Sequence, residues 1–66
     1  MADIPERGEA HIIEGAFEHR VHDLFKIFAE AIYTGEPERD AATRFRRGLV
    51  SARRARAAAL EVAKEE

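Results

Sequence analysis

The sequence predicts an all-α protein, an antiparallel hairpin of two helices that forms a single domain over residues 1–66. Three observations favour this fold. Apolar residues recur every three or four positions in the first half of the chain, small apolar residues continue that spacing in the second half, and a glycine and a proline interrupt it in between. A connection of so few residues makes neighbouring helices run antiparallel.

The first helix is predicted over residues 5–34. Its apolar positions follow the period of one helical face and not the alternation of a strand. Asp3 is expected to cap this helix, and Glu6, three residues later, completes the pattern of a capping box. The larger side chains predicted to form its packed stripe are Ile13, Phe17, Val21, Leu24 and Phe28.

The turn is predicted at residues 34–37 and the second helix at residues 37–64. Gly35 can take the left-handed conformation that ends a helix, and Pro37 suits the first turn of the next one. Alanines dominate the packed stripe of the second helix, which lets the two helix axes approach closely. The large side chains predicted for this stripe are Phe45 and Leu49.

The apolar arc of the first helix is wider than one neighbouring helix can cover. On a helical wheel it spans about 160°, whereas packing against a single helix needs only about 100°. We expect two hairpins to pair as a homodimer and form a four-helix bundle, because a closed two-fold dimer is the commonest oligomer. The alternative is that the surplus arc binds a different protein. The candidate binding residues on this arc and at its end are Phe25, Ile32 and Tyr33.

Charge is divided unevenly along the chain, although the net charge is only −2. Residues 1–38 carry nine acidic side chains against three basic ones, and residues 39–56 carry seven arginines against one acid. A candidate partner-binding surface, the Arg face, consists of Arg46, Arg47, Arg53 and Arg54.

The Arg face has three interpretations. It binds an acidic protein surface, it neutralises nucleic-acid phosphates, or it only offsets the acidic first helix within the hairpin or across a dimer. The absence of interleaved aromatic residues and the acidic balance of the whole chain disfavour nucleic acid.

Arg56 lies within the packed stripe of the second helix. A turn at Gly35 places Arg56 opposite the middle of the first helix. We therefore predict an ion pair with Glu14 or Glu18 that sets the register of the hairpin more than it adds stability. The alternative is that Arg56 reaches an acidic group of a partner.

No cofactor, metal site or catalytic site is predicted. The chain has no cysteine, its single serine lies within the second helix, and it has no Gly-rich phosphate loop. The histidines lie on the polar side of the first helix and lack the Glu-x-x-His pattern of di-iron bundles, so they are interpreted as surface residues. These histidines are His11, His19 and His22.

The expected function is therefore that of a small, non-catalytic interaction module, an adaptor or inhibitor that binds and modulates a larger protein as a homodimer. The preference for Arg over Lys and the absence of Asn and Gln suggest a GC-rich bacterial or phage genome, so the expected target is a bacterial protein. Neither a membrane span nor a signal peptide is recognisable, and a cytoplasmic location is expected.

Two alternative functions remain. The chain is similar in length and topology to the Rop family of plasmid copy-control proteins, and that resemblance implies RNA or DNA binding by a hairpin dimer. The other alternative is a structural subunit of a larger assembly.

Overall fold

The computed structural model describes the backbone of residues 4–65 and the side chains of residues 8–65. Helix α1 spans Ile4–Tyr33 and helix α2 spans Glu38–Lys64. The described residues contain no strand, and the predicted two-helix hairpin is confirmed. Each helix begins and ends within one residue of the bounds that the sequence predicts. The predicted cap at Asp3 lies outside the described residues.

Helix α1 ends in a hydrogen-bonded glycine motif. Gly35 adopts a φ of +93°, and its N–H donates to the carbonyl of Ile32 over 3.1 Å. The N–H of Glu36 donates to the carbonyl of Ala31 over 3.0 Å. This is the Schellman pattern, which satisfies the last carbonyls of a helix and needs a residue that tolerates positive φ.

Helix α2 starts one residue later than predicted because Pro37 is its N-cap and not its first helical residue. Pro37 has an extended ψ of 130°, and its carbonyl accepts the N–H of Ala41 over 3.1 Å. Proline has no side-chain acceptor, so the first turn relies instead on the acids Glu38 and Asp40 near the positive end of the helix dipole. An Arg44–Glu36 ion pair also ties this helix to the turn.

The two helices pack along their length in antiparallel order. The ring centroids of Phe28 and Phe45 lie 5.1 Å apart near the turn. Further from the turn, Leu24 packs against the backbone of Gly48, so closely that a Cβ at Gly48 would lie 2.6 Å from a Leu24 methyl carbon. The close approach of the axes that the small residues of α2 predict is therefore observed at this point.

The core of one hairpin is small. The Cα atoms fill a slab of 52 × 17 × 8 Å, which is one helix thick. The buried hydrophobic residues among those described are Leu24, Ala31 and Ala41.

Most of the large side chains predicted for the packed stripes are only half-buried, and Leu24, with 8% of its surface exposed, is the one that is buried. The physical reason is that two cylinders enclose only the strip along their line of contact, so larger side chains spread outward over its edges. The half-buried members are Ile13, Phe17, Val21, Phe28, Phe45 and Leu49.

Two glycine-to-alanine substitutions test the close approach. G15A adds a methyl group in open space and is expected to raise the free energy of unfolding by about 1 kcal/mol, the difference in helix propensity. G48A brings the same propensity gain but forces Leu24 to move, and overpacking of this kind costs about 1–3 kcal/mol. G48A should therefore be less stable than G15A.

The measurement is urea unfolding followed by circular dichroism at one fixed chain concentration. If G48A proves as stable as G15A, the Leu24–Gly48 contact does not limit the approach of the helices.

Candidate interaction surfaces

Arg56 and Glu14 form the main polar contact between the helices. The guanidinium Nε donates to Oε1 over 2.7 Å and Nη2 donates to Oε2 over 2.8 Å, so the pair is bidentate. The Arg56 Cζ atom also lies 5.4 Å from the centroid of the Phe17 ring. Both charged side chains keep about two fifths of their surface exposed, at 39% and 41%. The pair therefore joins the two helices in the half of the hairpin away from the turn, and both side chains remain partly exposed to solvent.

The ion pair shifts the titration of both groups. Hydrogen bonds from Arg56 hold the pKa of the Glu14 carboxyl below its usual range, because they stabilise the ionised form. The same hydrogen bonds, together with the charge of Glu14, raise the pKa of the Arg56 guanidinium. Both groups are charged at neutral pH.

Of the two acids predicted for Arg56, Glu14 is the one that pairs with it. Glu18 is exposed. Four residues advance a helix by about 400°, so Glu18 lies roughly 40° further round α1, away from α2. Spacing along the sequence does not distinguish the two acids, because it locates a region of the opposite helix and not the reach of one side chain.

The two sides of the hairpin carry different exposed residues. One side is named here the Phe25 flank. On this side α1 presents a stripe of residues spaced seven apart, which are Glu18, Phe25 and Ile32. On the same side α2 presents Arg46 and Arg53. Phe25 is 56% exposed, and Ile32 is exposed as well.

Tyr33 does not belong to this flank. One residue turns a helix by about 100°, so Tyr33 lies well round from Ile32 at the end of α1, and it is 86% exposed. The structure thus brings together two of the three candidate binding residues of α1.

The opposite side, named here the Ile27 flank, holds a groove that the sequence interpretation did not single out. The groove has a volume of about 420 Å³, and Leu24 and Gly48 form its floor. Ile27 is 58% exposed at its edge. A glycine facing a large side chain on the neighbouring helix is the sequence signal for such a depression. The side chains on its α2 edge are Arg44, Arg47 and Ser51.

Among the described residues, the Arg face forms no ion pair within one hairpin. No described carboxylate lies within 4.0 Å of its four guanidinium groups, and the arginines of α2 that form ion pairs are Arg44 and Arg56. The interpretation that the face offsets the acidic first helix inside the hairpin stays a prediction, because charges interact over longer distances than an ion pair. Its pairing across a dimer is a separate question.

An apolar side chain lies in the middle of the Arg face. Val50 is exposed, and a shallow depression around it is lined by Thr43, Ser51, Arg46, Arg47 and Arg54. Consecutive residues point about 100° apart, so Arg46 and Arg53 lie towards the Phe25 flank, whereas Arg47 and Arg54 lie towards the Ile27 flank. The four arginines therefore frame Val50 as two heptad stripes and do not form one uniform patch.

The histidines do not assemble a metal site in the part of the chain that the structure describes, where no group of three potential ligands comes together. His11, His19 and His22 are exposed, and His19 Nε2 lies 3.7 Å from Asp23 Oδ2. Neither described helix contains a segment with the length and apolar character needed to cross a membrane.

No protein-family model, curated protein or solved structure matches the chain.

The Glu14–Arg56 pair gives stability a defined pH dependence. A carboxyl whose folded pKa is depressed contributes stability that is fully present above the ordinary glutamate pKa of about 4.3 and is lost as pH falls through the folded value. E14Q should therefore melt at a lower temperature than the unmodified chain at pH 7, and the difference should disappear in strong acid.

Melting temperatures measured by circular dichroism between pH 7 and pH 2 test this expectation. E30Q is the matched control, since Glu30 lies exposed on the same helix and its side chain makes no hydrogen bond or ion pair among the described residues. A gap between E14Q and the unmodified chain that stays constant over the whole pH range would contradict the role given to the ion pair.

Proposed function

We propose that this chain is a non-catalytic helical interaction module that pairs with a second copy through the Phe25 flank and presents arginines to another protein. One observation carries the proposal. Among the described residues, three apolar side chains are buried, whereas seven large apolar side chains are exposed. Single exposed apolar residues are ordinary, but a surplus of this kind on so small a chain favours a surface that becomes covered.

The size of the core supports self-association. A chain of 66 residues that cannot form a disulfide lies near the lower limit of independent stability, and helical chains of this size commonly gain their core by oligomerising. Each square ångström of apolar surface removed from water contributes about 25 cal/mol. Covering Phe25, Ile32 and the outer sides of Val21 and Leu49 would join two narrow contact strips into one four-helix core.

The composition of the Arg face supports a protein partner over nucleic acid. Val50 offers apolar contact area at its centre, which a phosphate backbone cannot use. Arginine is enriched at protein interfaces because its planar group makes paired hydrogen bonds to carboxylates. The aromatic residue of α2, Phe45, is half-buried against Phe28, so the described residues of this helix offer no exposed ring for base stacking. The proposed partner surface is therefore acidic with apolar contacts, and binding there would occupy and modulate a larger protein.

Charged substitutions on opposite flanks test self-association. F25K places a positive charge on the proposed dimer surface, beside the arginines that α2 presents there, and should shift the chain towards its monomer mass of 7.4 kDa. I27K changes a residue of almost equal exposure on the other flank and should leave the oligomer unchanged.

Sedimentation equilibrium at several concentrations measures the difference. An unmodified chain that remains a well-folded monomer at all of them would contradict the proposal. An oligomer that I27K disrupts and F25K leaves intact would also contradict the assignment of the flank.

Charge reversal tests the partner surface. The variant R47E/R54E reverses the two arginines of the Arg face that lie away from the Phe25 flank, and it should lose specific capture of a protein from nuclease-treated bacterial lysate. The matching variant R47K/R54K keeps the charge and should retain part of the capture. Parallel mass measurement separates loss of binding from loss of the oligomer.

A gel-shift series with duplex RNA and DNA tests the alternative that the Arg face binds nucleic acid. No shift is expected for either nucleic acid at about 50 mM salt, where phosphate contacts are strongest. A shift that weakens steeply with added salt and disappears in the charge-reversed variant would replace the protein partner with nucleic acid.

A further inference from the structure

The arrangement of charge on the Phe25 flank specifies how two copies would pair, given the proposed self-association. We infer that the two-fold axis runs parallel to the helices, so that α1 of each copy lies against α2 of the other. In this arrangement Glu18 of one copy pairs with Arg53 of the second, and the Phe25 ring of one copy packs under Arg46 of the second.

The sign of the charges selects the axis. Two hairpins that stack flank to flank have two simple two-fold arrangements. An axis perpendicular to the helices sets α1 against α1 and α2 against α2, which brings the stripe of Arg46 and Arg53 against its own copy. An axis parallel to the helices sets α1 against α2, which brings this stripe against Glu18 and Phe25. Like charges placed opposite one another are costly, so the parallel axis is favoured.

The contacts inside one hairpin specify which residues lie at the same level. Glu14 pairs with Arg56, Leu24 contacts Gly48, and Phe28 stacks on Phe45. A two-fold axis parallel to the helices preserves each residue's height along them. The same levels therefore apply between copies as within one hairpin, and the residue of α2 at the level of Glu18 is Arg53.

Heptad spacing extends this match along the whole flank. Residues seven apart return to nearly the same side of a helix. The α1 stripe and the α2 stripe each advance by seven, so every α1 member meets an α2 member at its own level. From the middle of the flank towards the turn, the matched pairs are Glu18 with Arg53, Phe25 with Arg46, and Ile32 with Arg39.

The accessible side chains fit this pairing. Glu18, Phe25, Arg46 and Arg53 are all exposed in a single copy, so each is free to reach the other copy. Val21 and Leu49 lie inward of the stripes and would close the apolar centre. An arginine over an aromatic ring already occurs in the chain, where Arg56 covers Phe17. Arg46 over Phe25 would repeat that contact between copies.

The pairing also divides the Arg face. Arg46 and Arg53 become part of the dimer surface, whereas Arg47 and Arg54 remain on the outside beside Val50. The surface left for an acidic partner is then this outer pair and the groove of the Ile27 flank.

A charge swap provides the test. E18R and R53E should each weaken the dimer by about tenfold or more, because each places like charges opposite one another twice in a two-fold dimer. The double variant E18R/R53E should restore the dissociation constant to within about threefold of the original. R54E is the matched control, since Arg54 is adjacent in sequence but points to the outside, and it should leave the dimer within about threefold.

Sedimentation measures the dissociation constants, and circular dichroism checks that each variant is helical. Failure of the double variant to restore the dimer, or an effect of R54E equal to that of R53E, overturns the pairing while leaving self-association intact. A monomeric unmodified chain overturns the proposed self-association itself.

Disulfide capture gives an independent measurement because the chain has no cysteine of its own. A mixture of E18C and R53C chains should form the mixed disulfide several-fold faster than either chain links to itself. Preferential formation of E18C–E18C or R53C–R53C links would overturn the parallel axis.

Discussion

The contact of Leu24 with Gly48 is the constraint on which the rest of the hairpin depends. Among the described side chains of α1, Leu24 is the one large side chain that is buried, and it lies where α2 has no side chain at all. The helix axes approach closely at this point. The close approach lets Phe28 stack on Phe45 towards the turn and brings Arg56 within hydrogen-bonding distance of Glu14 at the other end. A larger residue at the crossing would separate the helices and weaken both contacts.

A single layer of two helices also determines what the chain leaves exposed. Only the side chains along the line of contact between the helices are shielded from water. Apolar residues on either flank are therefore exposed in a single copy. The charges follow the same geometry. The acids of α1 and the arginines of α2 lie on neighbouring helices, yet only Glu14 and Glu36 reach arginines of α2 among the described residues. The four arginines of the Arg face are exposed and form no ion pair among the described residues, which makes them available to another molecule or another copy.

Specific polar contacts and apolar packing have separate roles in this arrangement. The apolar strip supplies most of the attraction between the helices but little information about their register, because alanines along α2 are nearly interchangeable. The bidentate pair of Arg56 and Glu14 has one best geometry, and a shift of one helical turn would break it. A partly exposed ion pair contributes little net stability, so its main effect is to select one alignment.

The two helices, their turn and the approximate level at which residues face each other can all be predicted from the amino-acid sequence. These features depend on local periodicity, on the positive φ that Gly35 accepts and on the loss of a donor at Pro37. Three other features appear only when the helices pack: which of two acids pairs with Arg56, which side chains are buried, and how the arginines divide between the flanks. Those outcomes depend on the separation of the helix axes and the direction of each side chain, and spacing along one chain specifies neither.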